Sequence, residues 1–287
     1  MDPKPLVRDA ARGMLLGLAV GDAIGTSVEF QPRGSFPPVT GMTGGGVFRL
    51  EPGQWTDDTS MALCLADSLL ANGGWNPSDC MNRFRQWRDS GENSCTGTCF
   101  DIGNTVNAAL RKFERDGEPY AGSQDPMSSG NGAIMRLAPA AIAYHRDPVQ
   151  AERAAVLQGR TTHGSAECAE IAVSMARLLV TGDIAAVPNA PPPDTPESEI
   201  RSSGYVRHTW DAALWAVTST ETFRDAILKA ANLGDDADTV AAVTGQIAGR
   251  IHGEAAIPPE WLEPLAWRDR IAETADRLYD VNPAPLA

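Results

Sequence analysis

The 287-residue sequence is poor in aromatic side chains, which make up only 6% of it. Alanine and leucine therefore do much of the packing, a mix that suits close-packed helices better than sheets. Cationic side chains are also scarce. There are 24 Lys and Arg against 37 Asp and Glu, a formal net charge of −13. Such a balance excludes a nucleic-acid backbone as the main partner, because that partner needs a basic face. Long hydrophobic runs are missing too. The apolar run Met14 to Val20 is too short to span a bilayer, so no transmembrane segment is expected. Arg8 and Arg12 precede that run, but Asp22 follows it directly and no A-x-A site appears, which argues against a secretory signal. Cysteine is sparse and odd in number: Cys64, Cys80, Cys95, Cys99 and Cys168. These read as reduced, buried thiols of a cytoplasmic protein. Cys95 and Cys99 lack two further ligands at zinc spacing.

What is present is 43% hydrophobic residues, enough for a sizeable core, and a recurrent helical period. From Asp9 to Gly25, glycines recur at 13, 17, 21 and 25. That spacing puts all four on nearly one face, where a neighbouring helix can approach closely. Residues 30–53 are rich in Gly and Pro and read as a loop. Helices are expected at Asp58 to Ala71, Pro77 to Arg88 and Ile102 to Arg115, and then at 133–144, 148–159 and 165–180. The prolines of 187–199 make that stretch an exposed loop. Further helices are expected at 207–217, 221–232, 238–252 and 268–279. No low-complexity linker divides the chain. The expectation is an all-α fold, one compact multi-helix domain over 1–287.

Two segments carry the chemistry: Trp55-Thr56-Asp57-Asp58-Thr59-Ser60 and Gly234-Asp235-Asp236-Ala237-Asp238-Thr239. Each enters an apolar helical pattern. Asp and Thr are good helix caps, which accounts for one acid per helix. It does not account for two or three in a row, because adjacent carboxylates repel unless something neutralises them. Within a regular helix, Asp57 and Asp58 would diverge by about 100° and Asp236 and Asp238 by about 200°. They converge only where the chain turns into a helix. Two such starts facing each other would make an all-oxygen cage suited to Mg²⁺ or Mn²⁺ rather than zinc.

Other candidates surround these. Glu29 follows the glycine-faced helix and reads as a pocket acid or a solvated loop acid. Asp101, in FDIGNT, reads as the N-cap of a helix starting at Ile102, or as an acid or base. The small residues Ser129, Gly130, Asn131 and Gly132 precede a helix and would let a phosphate meet backbone N–H groups. His163 is one of four histidines and reads as a packed residue or a ligand contact. Tyr205 could stack on a base or pack in the core.

Together the GDAIG segment with Glu29, PGQWTDDT, FDIGNT, SGNGAIMR and GDDADT, in this order, resemble the ADP-ribosylglycohydrolase family over nearly the whole chain. The resemblance implies an all-α fold around a binuclear Mg²⁺ or Mn²⁺ centre at the bottom of a cleft. It implies Thr56, Asp57, Asp58, Asp236, Asp238 and Thr239 as holders of the two ions, with Asp238 bridging them. Glu29 would be a further ligand or a gate, and the SGNG loop would receive the diphosphate. Asp101 matches an acid implicated in catalysis in arginine-specific members, with Asp57 or Asp58 the second choice for acid/base work. Asp235 stands where many relatives have glycine and is not expected to bind metal. The implied activity is metal-dependent release of ADP-ribose from a modified protein side chain, arginine first. Serine-linked or O-acetyl ADP-ribose are alternatives at the same site. A structural, crystallin-like member and a non-hydrolysing ADP-ribose binder are alternatives of another class. The implied partners are an ADP-ribosylated protein and ADP-ribose itself.

Overall fold

A computed structural model describes residues 5–286, and among them every extended element is a helix. The α-helices are α1 Arg8–Gly25, α2 Asp57–Asn72, α3 Pro77–Ser90, α4 Asn104–Asp116, α5 Gly132–Met135, α6 Ala138–Ala143 and α7 Pro148–Arg160. They continue with α8 Ala166–Thr181, α9 Val206–Thr218, α10 Phe223–Ala231, α11 Ala237–His252, α12 Pro259–Leu262 and α13 Arg268–Asp280. The all-α expectation holds. Two details differ from it. The single helix expected at 133–144 is broken into α5 and α6, because Pro139 can only sit in the first turn of a new helix. The short α12 carries Pro259 in its first turn and was not anticipated.

The centre of the molecule is the pair α1 and α11. Fifteen of the eighteen residues of α1 and fourteen of the sixteen of α11 are buried, so neither has a solvent face. They run antiparallel in contact. A Cβ on Gly13 would lie 2.5 Å from the Gly249 carbonyl oxygen, one on Gly17 2.3 Å from that of Gly245, and one on Gly21 2.1 Å from that of Ala241. At Gly25 it would lie 2.3 Å from the carbonyl oxygen of Ala237. The glycine face read from the sequence is therefore the seam on which α11 rests. Around this pair, one contiguous apolar cluster reaches from Leu6 to Leu278.

Helix ends follow the usual chemistry over most of the chain. Asn76, Asp147, Ser165 and Thr222 cap α3, α7, α8 and α10 through their side chains. Gly73, Gly91, Gly117 and Gly182 end α2, α3, α4 and α8 in the left-handed conformation. The other α-helix starts have no side-chain cap, and α2 and α11 are among them although a good capping type stands in place. Thr56 before α2 and Asp236 before α11 stand in the cap position, and neither side chain caps. Those are the two acidic motifs.

Candidate metal centre and active site

The first turns of α2 and α11 meet at the C-terminal end of α1. The N-terminus of α2 is capped from outside, by Asp22 in the last turn of α1. Its Oδ1 accepts from the Thr56 backbone N–H and the Thr56 hydroxyl, both at 2.9 Å. Its Oδ2 accepts from Thr59 N at 3.0 Å and Thr59 Oγ1 at 2.7 Å. Because Asp22 satisfies those donors, Thr56 and Asp58 are free to face inward. Thr56 Oγ1 lies 3.3 Å from Asp58 Oδ2 and 3.3 Å from Asp238 Oδ2. Thr239 Oγ1 lies 3.4 Å from the same Asp58 oxygen. Asp58 and Asp238 are completely buried or nearly so.

Carboxylate oxygens gather in two groups. One is Asp22, Asp58 and Asp238; the other is Glu29, Asp101 and Asp238; within each group the oxygens lie within 4.8 Å of one another. Asp238 belongs to both. Asp22 already accepts four hydrogen bonds, so it is better fitted to hold α2 than to bind an ion. By contrast, Asp58 Oδ1 is buried with no hydrogen-bond partner. A buried carboxylate oxygen without a partner is costly unless a cation meets it.

Above the two groups opens a cavity of about 370 Å³, lined by Glu29, Asp57, Asp101, Asp236, Thr239, His163 and the Gly130–Asn131–Gly132 turn among others, with no Lys or Arg. Burial, reinforced by neighbouring charges, pushes every carboxyl here upward. Asp101 rises to about 7 and Asp22 to about 6. Asp236 also rises to about 6, although a 2.5 Å hydrogen bond from Asn131 Nδ2 opposes the shift. Glu29, Asp57, Asp58 and Asp238 rise further, burial again being the first cause and adjacent carboxylates the second. A cluster of this kind stays protonated or is neutralised by bound cations. The all-oxygen donor set and the orphaned Asp58 oxygen fit a hard divalent cation.

The remaining candidates are distributed unevenly. Asp101 is not a helix cap. It has φ +59°, three residues ahead of α4, and the cap position belongs to Gly103. Its side chain lies with those of Glu29 and Asp238 rather than at the start of α4. In the SGNG turn, the amides of Gly130 and Asn131 donate to Ser128 O and Gly204 O, so these two are engaged within the protein. Ser129 lies outside the lining, its hydroxyl donating to Ser165 at 2.8 Å. Tyr205 also lies outside. Its hydroxyl donates to Glu167 at 2.7 Å and its ring meets His208 edge-on at 4.9 Å. Neither a core position nor a stacking face on the cavity describes it as placed. Asp235 is exposed and joins neither carboxylate group. Its backbone pairs with the chain after Glu29, through Phe30 N to Asp235 O and Asp235 N to Gln31 O. The five cysteines are all free, and none enters a metal-ligating group among the described residues.

Two groups were not foreseen. Asp22 stood in plain view inside GDAIG; an acid in the middle of a buried, glycine-faced helix was the available signal. Phe30, 62% exposed at the cavity mouth beside Glu29, had none.

Comparison with known proteins adds a second line. The family model described as ADP-ribosylglycohydrolase matches residues 3–285. The chain is 44% identical to the ADP-ribosylarginine hydrolase Tri1 of Pseudomonas putida (strain GB-1), over 96% of this chain and 79% of that protein. It is 34% identical to the ADP-ribosyl-[dinitrogen reductase] glycohydrolase of Rhodospirillum rubrum, over 91% and 92% of the two chains. A solved structure titled "ADP-ribosylglycohydrolase-related protein complex" superposes with a TM-score of 0.81 at 39% identity, covering 96% of this chain and 98% of that one.

Proposed function

The chain belongs to the ADP-ribosylglycohydrolase family, and on that premise we propose that it hydrolyses the N-glycosidic bond joining ADP-ribose to an arginine side chain of a modified protein. The observation that carries this reading is the pair of carboxylate groups sharing Asp238 beneath an acidic cavity with no Lys or Arg in its lining. An anionic nucleotide would be repelled from such a cavity unless cations were bound in it.

Thr56, Asp57, Asp58, Asp236, Asp238 and Thr239 are the residues suited to hold two Mg²⁺ or Mn²⁺ ions, with Glu29 a further oxygen donor. Held there, the ions supply charge neutralisation and polarisation of ribose hydroxyls and of an attacking water. The other roles fall to the chain. Cleavage at the anomeric carbon develops oxocarbenium character, which the carboxylates lining the cavity stabilise. Asp101, raised to about 7 by burial, carries a proton in about half of the molecules at neutral pH and can give it to the departing guanidine nitrogen. Asp57, which also lines the cavity, is the second choice for that proton, ahead of the deeper Asp58. Asn131 fixes Asp236 from the side of the SGNG turn, and that turn, whose Gly130, Asn131 and Gly132 line the cavity, is the part of the wall assigned to the diphosphate.

The test is incubation of the full chain with arginine-, serine- and carboxylate-linked ADP-ribosyl proteins, with and without Mg²⁺ or Mn²⁺. Free ADP-ribose is expected from the arginine-linked substrate only, and only with metal. Release confined to another linkage, or none with metal present, would overturn the proposal.

A further inference from the structure

His163 follows α7 and packs its ring into the space left by two glycines. A Cβ on Gly132 would lie 2.4 Å from His163 Cε1, and one on Gly130 would lie 3.1 Å from Nε2. The residue is 4% exposed and lines the cavity. Its Nδ1 lies 2.9 Å from Thr162 Oγ1. That hydroxyl is also 2.6 Å from Nη2 of Arg136.

Arg136 is wholly buried and has no carboxylate partner among the described residues. Its guanidinium lies over the Phe84 ring at 4.6 Å, and its Nε donates to Gln158 Oε1 at 3.2 Å. A guanidinium only donates, so it occupies a lone pair of the Thr162 oxygen. Thr162 is itself fully buried, and its one hydroxyl proton needs an acceptor. Nδ1 of His163 is the acceptor in reach among the described residues. A proton on Nδ1 would leave the threonine proton orphaned. Burial, and then the charge of Arg136, hold the imidazole neutral at pH 7. One ring proton remains, and it must sit on Nε2, which has no protein partner among the described residues and faces the cavity.

We infer that Arg136 and Thr162 are positioning residues that lock His163 as its Nε2–H tautomer, a neutral hydrogen-bond donor to an oxygen of ADP-ribose in the cavity. The ligand half of this inference rests on the function proposed above. It also assigns limits. A ring nitrogen that carries a proton cannot ligate a cation, and one whose other nitrogen is occupied by Thr162 cannot serve as a base.

The test uses the full chain, ¹⁵N-labelled at histidine, at pH 7. A long-range ¹H–¹⁵N correlation spectrum reads the tautomer, and the signals lost in His163→Gln assign it among the four histidines. Wild type and Thr162→Ser are expected to show a protonated Nε2 and a bare Nδ1. Thr162→Val, similar in volume but without the hydroxyl, is expected to show mixed tautomers. Calorimetry in Mg²⁺ is expected to show ADP-ribose bound about tenfold more weakly by His163→Phe, which keeps a ring but no donor, the size of one lost hydrogen bond to a charged group, and about twofold more weakly by Thr162→Val, whose ring must first return to the Nε2–H form. Thr162→Ser should bind as wild type does. A proton on Nδ1, or a doubly protonated ring, in the wild type would overturn the lock, and that spectrum needs neither a variant nor a ligand. Unchanged affinity in folded His163→Phe would overturn the donor role. Wild type that fails to bind ADP-ribose at all would sink the functional reading instead, while the ligand-free spectrum still decides the tautomer.

Discussion

The two ends of the α1–α11 pair are built on opposite principles. Along the seam, Gly13, Gly17, Gly21 and Gly25 meet Gly249, Gly245, Ala241 and Ala237, and backbone lies on backbone with no room for a methyl group. Everything there is apolar, small and satisfied. Where α1 ends and α11 begins, the same two helices present Asp22 and Asp238 to each other and to the start of α2. There the groups repel, their protons are held abnormally tightly, and Asp58 keeps an oxygen without a partner. The seam is what makes the acid end possible. Carboxylates that would separate in a looser structure are fixed on two helices that cannot slide or spread without losing close packing. This is the arrangement expected of a preorganised site, in which local conflict is held by consistent structure elsewhere.

The comparison breaks most completely when the cations are removed. Activity is expected to vanish with EDTA and to return with Mg²⁺ or Mn²⁺ but not with Zn²⁺, given the all-oxygen donor set. Asp238→Ala should lose most activity and weaken metal binding while the helical signal stays, because the seam does not depend on that carboxylate. Calorimetric metal titration beside circular dichroism checks both. Unchanged metal affinity in a folded variant would remove Asp238 from the centre.

The seam itself is tested at Gly245, where a Cβ would lie 1.9 Å from the Gly17 carbonyl oxygen. Gly245→Ala gains helix propensity, worth about 1 kcal/mol on its own. The collision is with backbone and cannot be relieved by a rotamer. We expect a net destabilisation of about 3 kcal/mol, at the upper end of ordinary overpacking, read as a lower urea midpoint. A stabilised variant would mean that the helices are not in contact there.

Next in size is Asp101→Asn. Turnover on arginine-linked substrate should fall about a hundredfold, the low end for a positioned acid or base. ADP-ribose affinity should stay within a few-fold. The substitution is clean for a structural reason. Asp101 caps no helix and sits at φ +59°, a conformation asparagine tolerates as well as aspartate. Near-normal initial rates at saturating substrate would shift the acid/base role to Asp57 or Asp58.

Much of this was legible in the sequence, and the misses share one cause. The period-four glycines announced a seam, and the doubled acids at two helix starts announced a centre, because both are local patterns with few alternative explanations. The partner helix could have been found the same way, since Ala237, Ala241, Gly245 and Gly249 repeat the spacing. Asp101 was read either as a cap for a helix starting at Ile102 or as an acid or base, and it is the cap alternative that fails, because α4 starts at Asn104 and Asp101 lies with Glu29 and Asp238 across the fold. Asp22 looked like part of an apolar helix because its four donors come from residues 34 and 37 positions away. Tyr205 and Ser129 show the converse. Their neighbours in sequence line the cavity, but their own hydroxyls are taken by Glu167 and Ser165.

The smallest effect concerns protons, and it needs its sign worked through. Burial holds Asp22 at about 6 against an ordinary 3.8. Between about pH 4 and 6 the folded protein keeps a proton that the unfolded chain has released, so the metal-free fold loses stability as pH rises through that window. From Asp22 alone this amounts to about 1 kcal/mol between pH 5 and 7. Asp236 and Asp101 act with the same sign. The histidines act with the opposite sign, since burial lowers His145, His163, His208 and His252 and the fold then gains as they lose protons in the unfolded chain. The net slope of the metal-free protein is therefore a poor test. The difference between metal-loaded and metal-free protein cancels the histidines, which lie outside the carboxylate groups. Cation binding requires the carboxylates to be bare, so the stabilisation conferred by Mg²⁺ should grow as pH rises from 5 to 7, by at least about 1 kcal/mol. Urea midpoints at the two pH values, with saturating Mg²⁺ and with EDTA, measure it. A Mg²⁺ stabilisation that is flat or shrinking over that range would mean that the ion does not displace protons from these carboxyls, and the acid end would then be a proton-sharing cluster rather than a metal centre.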